Sequence, residues 1–427
     1  MVEDLPLPDV GGAARTVRTV LRAAMALGYD IDLVITGRRL PAIVPADDAL
    51  LAGMGLVFVN AIRVGDRLIP RTFGAAARWL KARLGLRPRR AAGGVAHIGR
   101  FLSPAETRRI EHRFADIPVD ALFIDTIFAS AALDAFAPTV DRYLITHDIF
   151  CERTESFRAN GLTVQPAIDR TMEIAMIGRF SAVIANNPRD ARTVSGFLPS
   201  MPVEPILTVV AEDVEHAAGR SAMAVDPHRM LYLGSAAHHN VDGLLWFLDE
   251  VWPRVRANIR DARLDIVGTI GTAIAKDHPG VTVHGRVADL APIAAACTFA
   301  VNPVRMGSGL KIKMVDYFRL GLACIVSPPG AQGFPPDNAP FVIADDAAAF
   351  AAATTAFLSD PALARRHADR AIGYAGPFNQ SAANAALARL TRAVKVLPGR
   401  VSSPYDDTHI GFTHPGETVA VPETASD

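Results

Sequence analysis

Short apolar runs alternate with Ala-rich amphipathic stretches along most of the chain, and the runs end in polar residues. ALGYDIDLVI predicts a helix ending at Gly28 and a strand through Ile31–Ile35. VDALFID predicts a strand ending at Asp125, RYLITHD one ending at His147–Asp148, and SAVIANN one ending at Asn186–Asn187. Near-continuous apolar strands are the mark of a parallel sheet covered on both faces. The polar residues therefore stand at strand carboxyl ends, where open α/β sheets hold ligands. The rhythm breaks between about residues 205 and 228, with Pro205, two acidic clusters and Pro227. It restarts with RMLYLG, RLDIVG, VTVHG, FAVNP, ACIVS and PFVIAD, a second parallel sheet. Two doubly wound sheets in tandem leave a cleft between them.

The expected organisation is an acceptor-side domain over 1–210, a donor-side domain over 211–377, a helix over 378–396 packing back on the first domain, and a mobile tail over 397–427. The first sheet should open with an apolar strand. The chain begins VEDLPLPDVGG, which reads as a strand end and its loop, so the first strand is expected to be truncated.

Composition narrows the classes. The chain has 427 residues, half of them hydrophobic, so each domain can bury a full core. Lys+Arg and Asp+Glu tie at 44 each, which argues against a nucleic-acid coat. Cys151, Cys297 and Cys324 are widely spaced and form no metal or disulfide pattern, as suits a reducing compartment. No run approaches the ~18 apolar residues of a membrane span. The opening twenty residues start acidic and lack the apolar core of a signal peptide. A cytoplasmic protein is expected.

The richest stretch is NPVRMGSGLKIKMVDYFRLGLACIVS. A strand ends at Pro303, a turn follows (Gly307, Ser308, Gly309), and a helix is expected to run from there to Gly321 with Ser308 as its N-cap. Free N–H groups at such a start, and the helix dipole, favour an anion. Lys311 and Lys313 put two cations beside it. Asp316, two helical turns past Ser308 on this reading, could hold a ribose diol. An ordinary strand–turn–helix with surface lysines fits the same residues about as well.

Three pieces in order, LYLGSAAHHNVDGLLWFLDEVWPRV, VTVHGRVADLAPIAAACTFAVNPVRMGSG and LKIKMVDYFRLGLACIVSPPGAQG, resemble the donor half of retaining GT-B glycosyltransferases of the family 4-like "glycosyl transferases group 1" set. The resemblance spans about residues 229 to 335. It implies two Rossmann-like domains and hexosyl transfer from a nucleotide diphosphate sugar, without metal or other cofactor, to a hydroxyl acceptor. It also implies that Asp316 binds the ribose, with Asp in place of the usual Glu. Lys313 and the amides of Gly309, Leu310 and Lys311 would hold the diphosphate, with Gly234 and Asn240 on the neighbouring loop. The turn His284-Gly285-Arg286-Val287 would meet the base. Ser308 stands where the family commonly has a second Glu, which leaves the sugar open.

PDVGGAARTVRTVLRAAMALGYDIDLV resembles the family's first loop and helix, with Gly11 and Gly12 near the donor or acceptor. His147 and Asp148 resemble the cleft histidine and its neighbour, with Lys313 as the third catalytic candidate. Asp125 and Arg153 are acceptor-side candidates, and Glu173 and Asn187 weaker ones. A strand-end histidine satisfied by backbone is the plainer reading of His147 on its own.

Arg67 to Arg100 holds nine cations and no acid, interleaved with Phe73, Trp79 and leucines. The favoured reading is an interfacial helix on an anionic membrane at the inner face. The others are a groove for a lipid-linked anionic acceptor and a solvated insertion. RNA binding lacks a stacking platform, and His238-His239 lack further metal ligands. The function expected is synthesis of a cell-surface polysaccharide, glycan or glycolipid. Alternatives are a non-catalytic sugar-nucleotide-binding scaffold and a nucleotide-sugar 2-epimerase.

Overall fold

In the computed structural model the structure describes residues 1–3, 6, 12–37, 48–64, 67–71, 95–209, 225–274 and 276–396. The expected mobile tail, Gly11 and most of the basic stretch lie outside them.

Six parallel strands form the C-terminal sheet, in the spatial order Val281–Gly285, Arg263–Val267, Arg229–Leu233, Phe299–Asn302, Ala323–Val326, Phe341–Ile343. The sequence direction reverses between Arg229–Leu233 and Phe299–Asn302, which pair directly. That reversal opens a crevice at the strand carboxyl ends, bordered by the Gly234 loop and the Gly307–Gly309 loop. The apolar runs are explained by burial on both faces. Met230 and Tyr232 pack into one core with Phe247, Trp252 and Phe350, while Leu231 packs into the other with Val315, Phe318 and Phe334. Each such side chain contributes roughly 1.5–3 kcal/mol by leaving water.

The N-terminal sheet repeats the scheme. Ala121–Asp125, Asp141–Thr146, Ala182–Ala185 and Val203–Pro205 pair in parallel on one side, and Asp32–Ile35 with Gly55–Phe58 on the other. Met1 and Val2 fill the place between. Val2 bridges Ile35, and the Asp125 amide donates to the Met1 carbonyl at 2.9 Å. These two residues hold the position of the short first strand the sequence leads one to expect. The helix Gln380–Val396 lies against the helix Gly12–Ala26, with Leu387 and Leu390 in the same cluster as Val20, Tyr143 and Ile184.

Glu106 ties the N-terminal domain together. Its carboxylate accepts from Asn60 Nδ2 (2.8 Å), Arg100 Nη1 (2.8 Å), the Ser103 amide (2.8 Å) and Ser103 Oγ (2.7 Å). Burial alone would raise its pKa, but these donors outweigh it and hold it at about 2. Because the folded value lies below the unfolded one, the contribution is present above about pH 4.5 and lost as pH falls toward 2. Glu106→Gln is expected to cost about 2–4 kcal/mol at neutral pH and to remove part of the acid limb of the stability curve, read by denaturant melts against pH. An unchanged midpoint at neutral pH would contradict this.

Candidate active site

At the C-terminal crevice the helix Lys313–Arg319 carries Lys313 and Asp316 one turn apart. Lys313 Nζ donates to Asn240 Oδ1 at 2.8 Å and lies 4.7 Å from the centroid of the Tyr232 ring. Among the described residues it pairs with no carboxylate. Burial pushes its pKa down to about 7. Asn240 is oriented in turn by Ser235 Oγ, which accepts from its Nδ2 at 3.1 Å. His239, beside Asn240 at the start of the helix His238–Trp246, has its pKa pushed well down by burial and then by Arg153, Lys311 and Lys313. Lys311 and Lys313 have no carboxylate partner among the described residues, while Arg153 pairs with Asp148, so the pocket keeps an excess of positive charge suited to an anion.

The glycine loop departs from expectation. The helix begins at Lys313 with Ile312 as N-cap, not at Gly309 with Ser308. Asp316 is therefore in the first turn of the helix rather than two turns in. Ser308 Oγ instead donates toward Asp148 Oδ1 (3.1 Å) and the Ile149 carbonyl (3.2 Å) of the other domain. The Gly307 amide donates to Ser156 Oγ at 2.9 Å. Lys311 is buried and folds back onto the Ser308 and Gly309 carbonyls at 2.9 and 2.8 Å, so it braces the loop instead of facing a ligand. The amides of Gly309, Leu310, Lys311 and Ile312 donate to no acceptor among the described residues. Leu310 itself is buried in the core.

Across the interface, His147 Nε2 and Asp125 Oδ1 lie 2.5 Å apart, both at strand carboxyl ends. Burial disfavours a charged His147, but the Asp125 charge and hydrogen bond prevail and its pKa is raised. His147 Nδ1 is buried without a partner. Asp148 is held by Arg153 as well as Ser308. Glu173 accepts the Phe150 and Cys151 amides (2.8 Å each), and Asn187 caps the helix Pro188–Phe197, so both build the fold around the site. Gly12 approaches Ile312 so closely that a Cβ there would stand 2.7 Å from its Cδ1.

The remaining expected contacts are more distant or differently engaged. The Gly234 amide donates to the Val267 carbonyl (2.9 Å), and the Gly285 carbonyl accepts from Gly268 (2.6 Å). The side chain of His284 turns to the buried Asp265 at 2.6 Å, and Val287 packs against the core that contains Leu231. Arg286 follows Gly285 at the open end of the strand. A cavity of about 620 Å³ opens between the domains, lined by Glu152, Ser156, Arg189, Gly307, Gln332 and Phe334 among others. Of the glycine turn expected from sequence, Gly307 lines it, while Ser308, Gly309, Lys313 and Asp316 do not. The basic stretch begins as a strand, Arg67–Pro70, antiparallel to Ala61–Val64, and Val95–His97 pairs with Thr163–Gln165, so neither end is the interfacial helix expected. Arg100 points inward to Glu106. Residues 72–94 lie outside the described residues. No described helix is long and apolar enough to cross a membrane.

Sequence reasoning missed Arg15. Its Nη1 donates to both oxygens of Asp316, at 2.7 and 2.8 Å. The only available signal was its place one turn after Gly12.

Two Rossmann-like domains with their switch points facing one cleft define the GT-B fold. Solved structures of similar shape include a sucrose-phosphate synthase from Thermosynechococcus elongatus, 16% identical with a TM-score of 0.63, covering 92% of this chain and 98% of that one. HepE of Anabaena, solved with UDP and glucose, is 12% identical with a TM-score of 0.58 over 93% and 98% of the two chains. The Escherichia coli trehalose-6-phosphate protein, bound with UDP-2-fluoro glucose, is 12% identical with a TM-score of 0.55 over 93% and 99%. No curated protein sequence matches. Residues 227–360 match the model of the family described as glycosyl transferases group 1. The chain has a GT-B fold, and over residues 227–360 it is similar to the glycosyl transferases group 1.

Proposed function

We propose that the protein is a glycosyltransferase that retains anomeric configuration and moves a hexose from a nucleoside diphosphate sugar to a hydroxyl acceptor in the synthesis of a cell-surface glycan or glycolipid. The observation that carries the reading is Lys313: a half-buried ammonium without a carboxylate, one helical turn from a carboxylate, at the switch point of a doubly wound sheet. A diphosphate leaving group fits the first and a ribose diol the second. Lys313 and the free amides of Gly309 to Ile312 stabilise the charge that develops as the bond to the sugar breaks. His147, oriented by Asp125, faces the donor sugar, and Arg153 with Asp148 borders the acceptor. A uridine nucleotide is the first choice, supported by the ligands named for HepE and the Escherichia coli protein. The acceptor-side domain is residues 1–210 and the donor-side domain 211–377, and the eight cations from Arg67 to Arg90 bring the enzyme to the anionic inner face of the membrane and a lipid-linked acceptor.

A thermal-shift panel of UDP-, GDP- and ADP-sugars, followed by slow donor hydrolysis without acceptor, tests the reading. One sugar nucleotide should raise the melting point and release its nucleoside diphosphate. Binding without release would favour the scaffold alternative. Asp316→Asn is expected to raise donor KM by about 10- to 100-fold with a smaller change in kcat, because it weakens a charge-assisted grip on the diol. An unchanged KM would remove Asp316 from the ribose.

A further inference from the structure

The diphosphate of a sugar nucleotide carries two negative charges, and the donor-side domain offers it few uncommitted cations. Lys311 is spent on the Ser308 and Gly309 carbonyls and Arg305 on Asp242, while Arg153, from the other domain, is spent on Asp148. His239, in the first turn of its helix, is held neutral by burial and by Lys313, Lys311 and Arg153 nearby. Lys313 is left as the one free ammonium among these groups. A second cation has to come from elsewhere.

Arg15 is placed to be that cation. It sits on the helix Gly12–Ala26, whose first turn abuts Ile312, the residue before Lys313. That helix is fixed in its own domain by Thr16 Oγ1 against Thr208 Oγ1 at 2.6 Å and by Gln380 Nε2 donating to the Thr19 carbonyl at 3.1 Å. Arg15 reaches Asp316 with Nη1 alone. Its Nε and Nη2 donate to no acceptor among the described residues, and the side chain remains 34% exposed. A guanidinium has five N–H donors in a rigid fork, so three are free while the carboxylate sets the plane of the group. Each Asp316 oxygen also keeps a lone pair for a ribose hydroxyl.

We propose that Arg15 is a donor-binding residue: oriented through Nη1 by Asp316, it donates its remaining N–H groups to the diphosphate of the sugar nucleotide. This rests on the donor site placed above at Lys313 and Asp316. The diphosphate is then gripped from both domains, Lys313 on one side and Arg15 on the other, and the second grip exists only while the cleft is closed. Asp316 does two things, holding the ribose and aiming the arginine.

The test compares nucleoside diphosphate with nucleoside, because only the former carries the charges. Calorimetric titrations of the full chain with UDP and uridine, and with the GDP–guanosine and ADP–adenosine pairs, are run on wild type, Arg15→Gln, Arg15→Lys and Asp316→Asn. Arg15→Gln should weaken diphosphate binding by about 10- to 100-fold while changing nucleoside binding less than about twofold. Arg15→Lys should recover part of the loss. Asp316→Asn should weaken both ligands. If Arg15→Gln weakens both alike, leaves both unchanged or tightens both, Arg15 merely neutralises Asp316 and the proposal is overturned while the donor site stands. If wild type itself binds no diphosphate better than its nucleoside, the donor site fails and takes the role of Arg15 with it.

Discussion

Lys313→Met is expected to lower kcat/KM for the donor by about 10²- to 10³-fold, with most of the loss in kcat. The ammonium is the cation that meets the leaving diphosphate as its charge develops, and removing one such preorganised donor costs on that order. Methionine keeps the length of the aliphatic stem and removes only the ammonium that lies over the Tyr232 ring, so the fold should survive. The residue also gives donor binding a pH signature. Burial holds free Lys313 at about pH 7, and a bound diphosphate favours its charged form. Above about pH 7 the free enzyme has lost a proton that the complex keeps, so affinity should fall as pH rises, by up to about tenfold per unit. Below that pH the slope due to Lys313 vanishes. Titrations of wild type from about pH 6 to 9 would show the decline and Lys313→Met its absence. A level wild-type profile would mean that Lys313 does not face the phosphates.

Gly309→Val should have the next largest effect, because the site depends on contact between the domains. A Cβ on Gly309 would stand 2.3 Å from the His147 carbonyl oxygen and 2.4 Å from Asp148 Oδ1, and the backbone φ of +70° is unfavourable for any side chain. The first obstacle is backbone at a strand end and cannot rotate away. The variant must open the interface or unwind the loop, at a cost of about 2–4 kcal/mol. Expected results are a lower melting point, a larger radius of gyration by solution scattering, and at least about 100-fold less transfer, since Lys313 and His147 would no longer share one cleft. Gly373→Ala, where nothing stands within 4 Å of the added carbon, is the control and should change none of these. Scattering and transfer unchanged in Gly309→Val would show that the closed contact is not the working form.

Two kinds of information separate here. The apolar runs at Leu231, Ile266, Val301 and Ile325 are buried on both sheet faces, so they announce parallel strands without help from the rest of the chain. Polar residues at the ends of those runs, and lysine and aspartate three apart after a glycine turn, place a candidate anion site by short-range pattern alone. Local pattern failed where a local rule competed with a distant partner. Ser308 has the chemistry of an N-cap, yet Asp148 and Ile149, about 160 positions away, claim its hydroxyl and the helix starts later. Lys311 reads as a ligand cation until its loop turns back and presents carbonyls to it. Arg15 meets Asp316 across 301 positions of sequence. Such pairs exist because two separately wound domains close on each other, and closure depends on shape and charge over whole surfaces, which no spacing along the chain encodes. The amino-acid pattern by itself determined the two sheets and the neighbourhood of the site; the tertiary structure alone decided which polar groups are committed to the fold and which remain to meet a ligand.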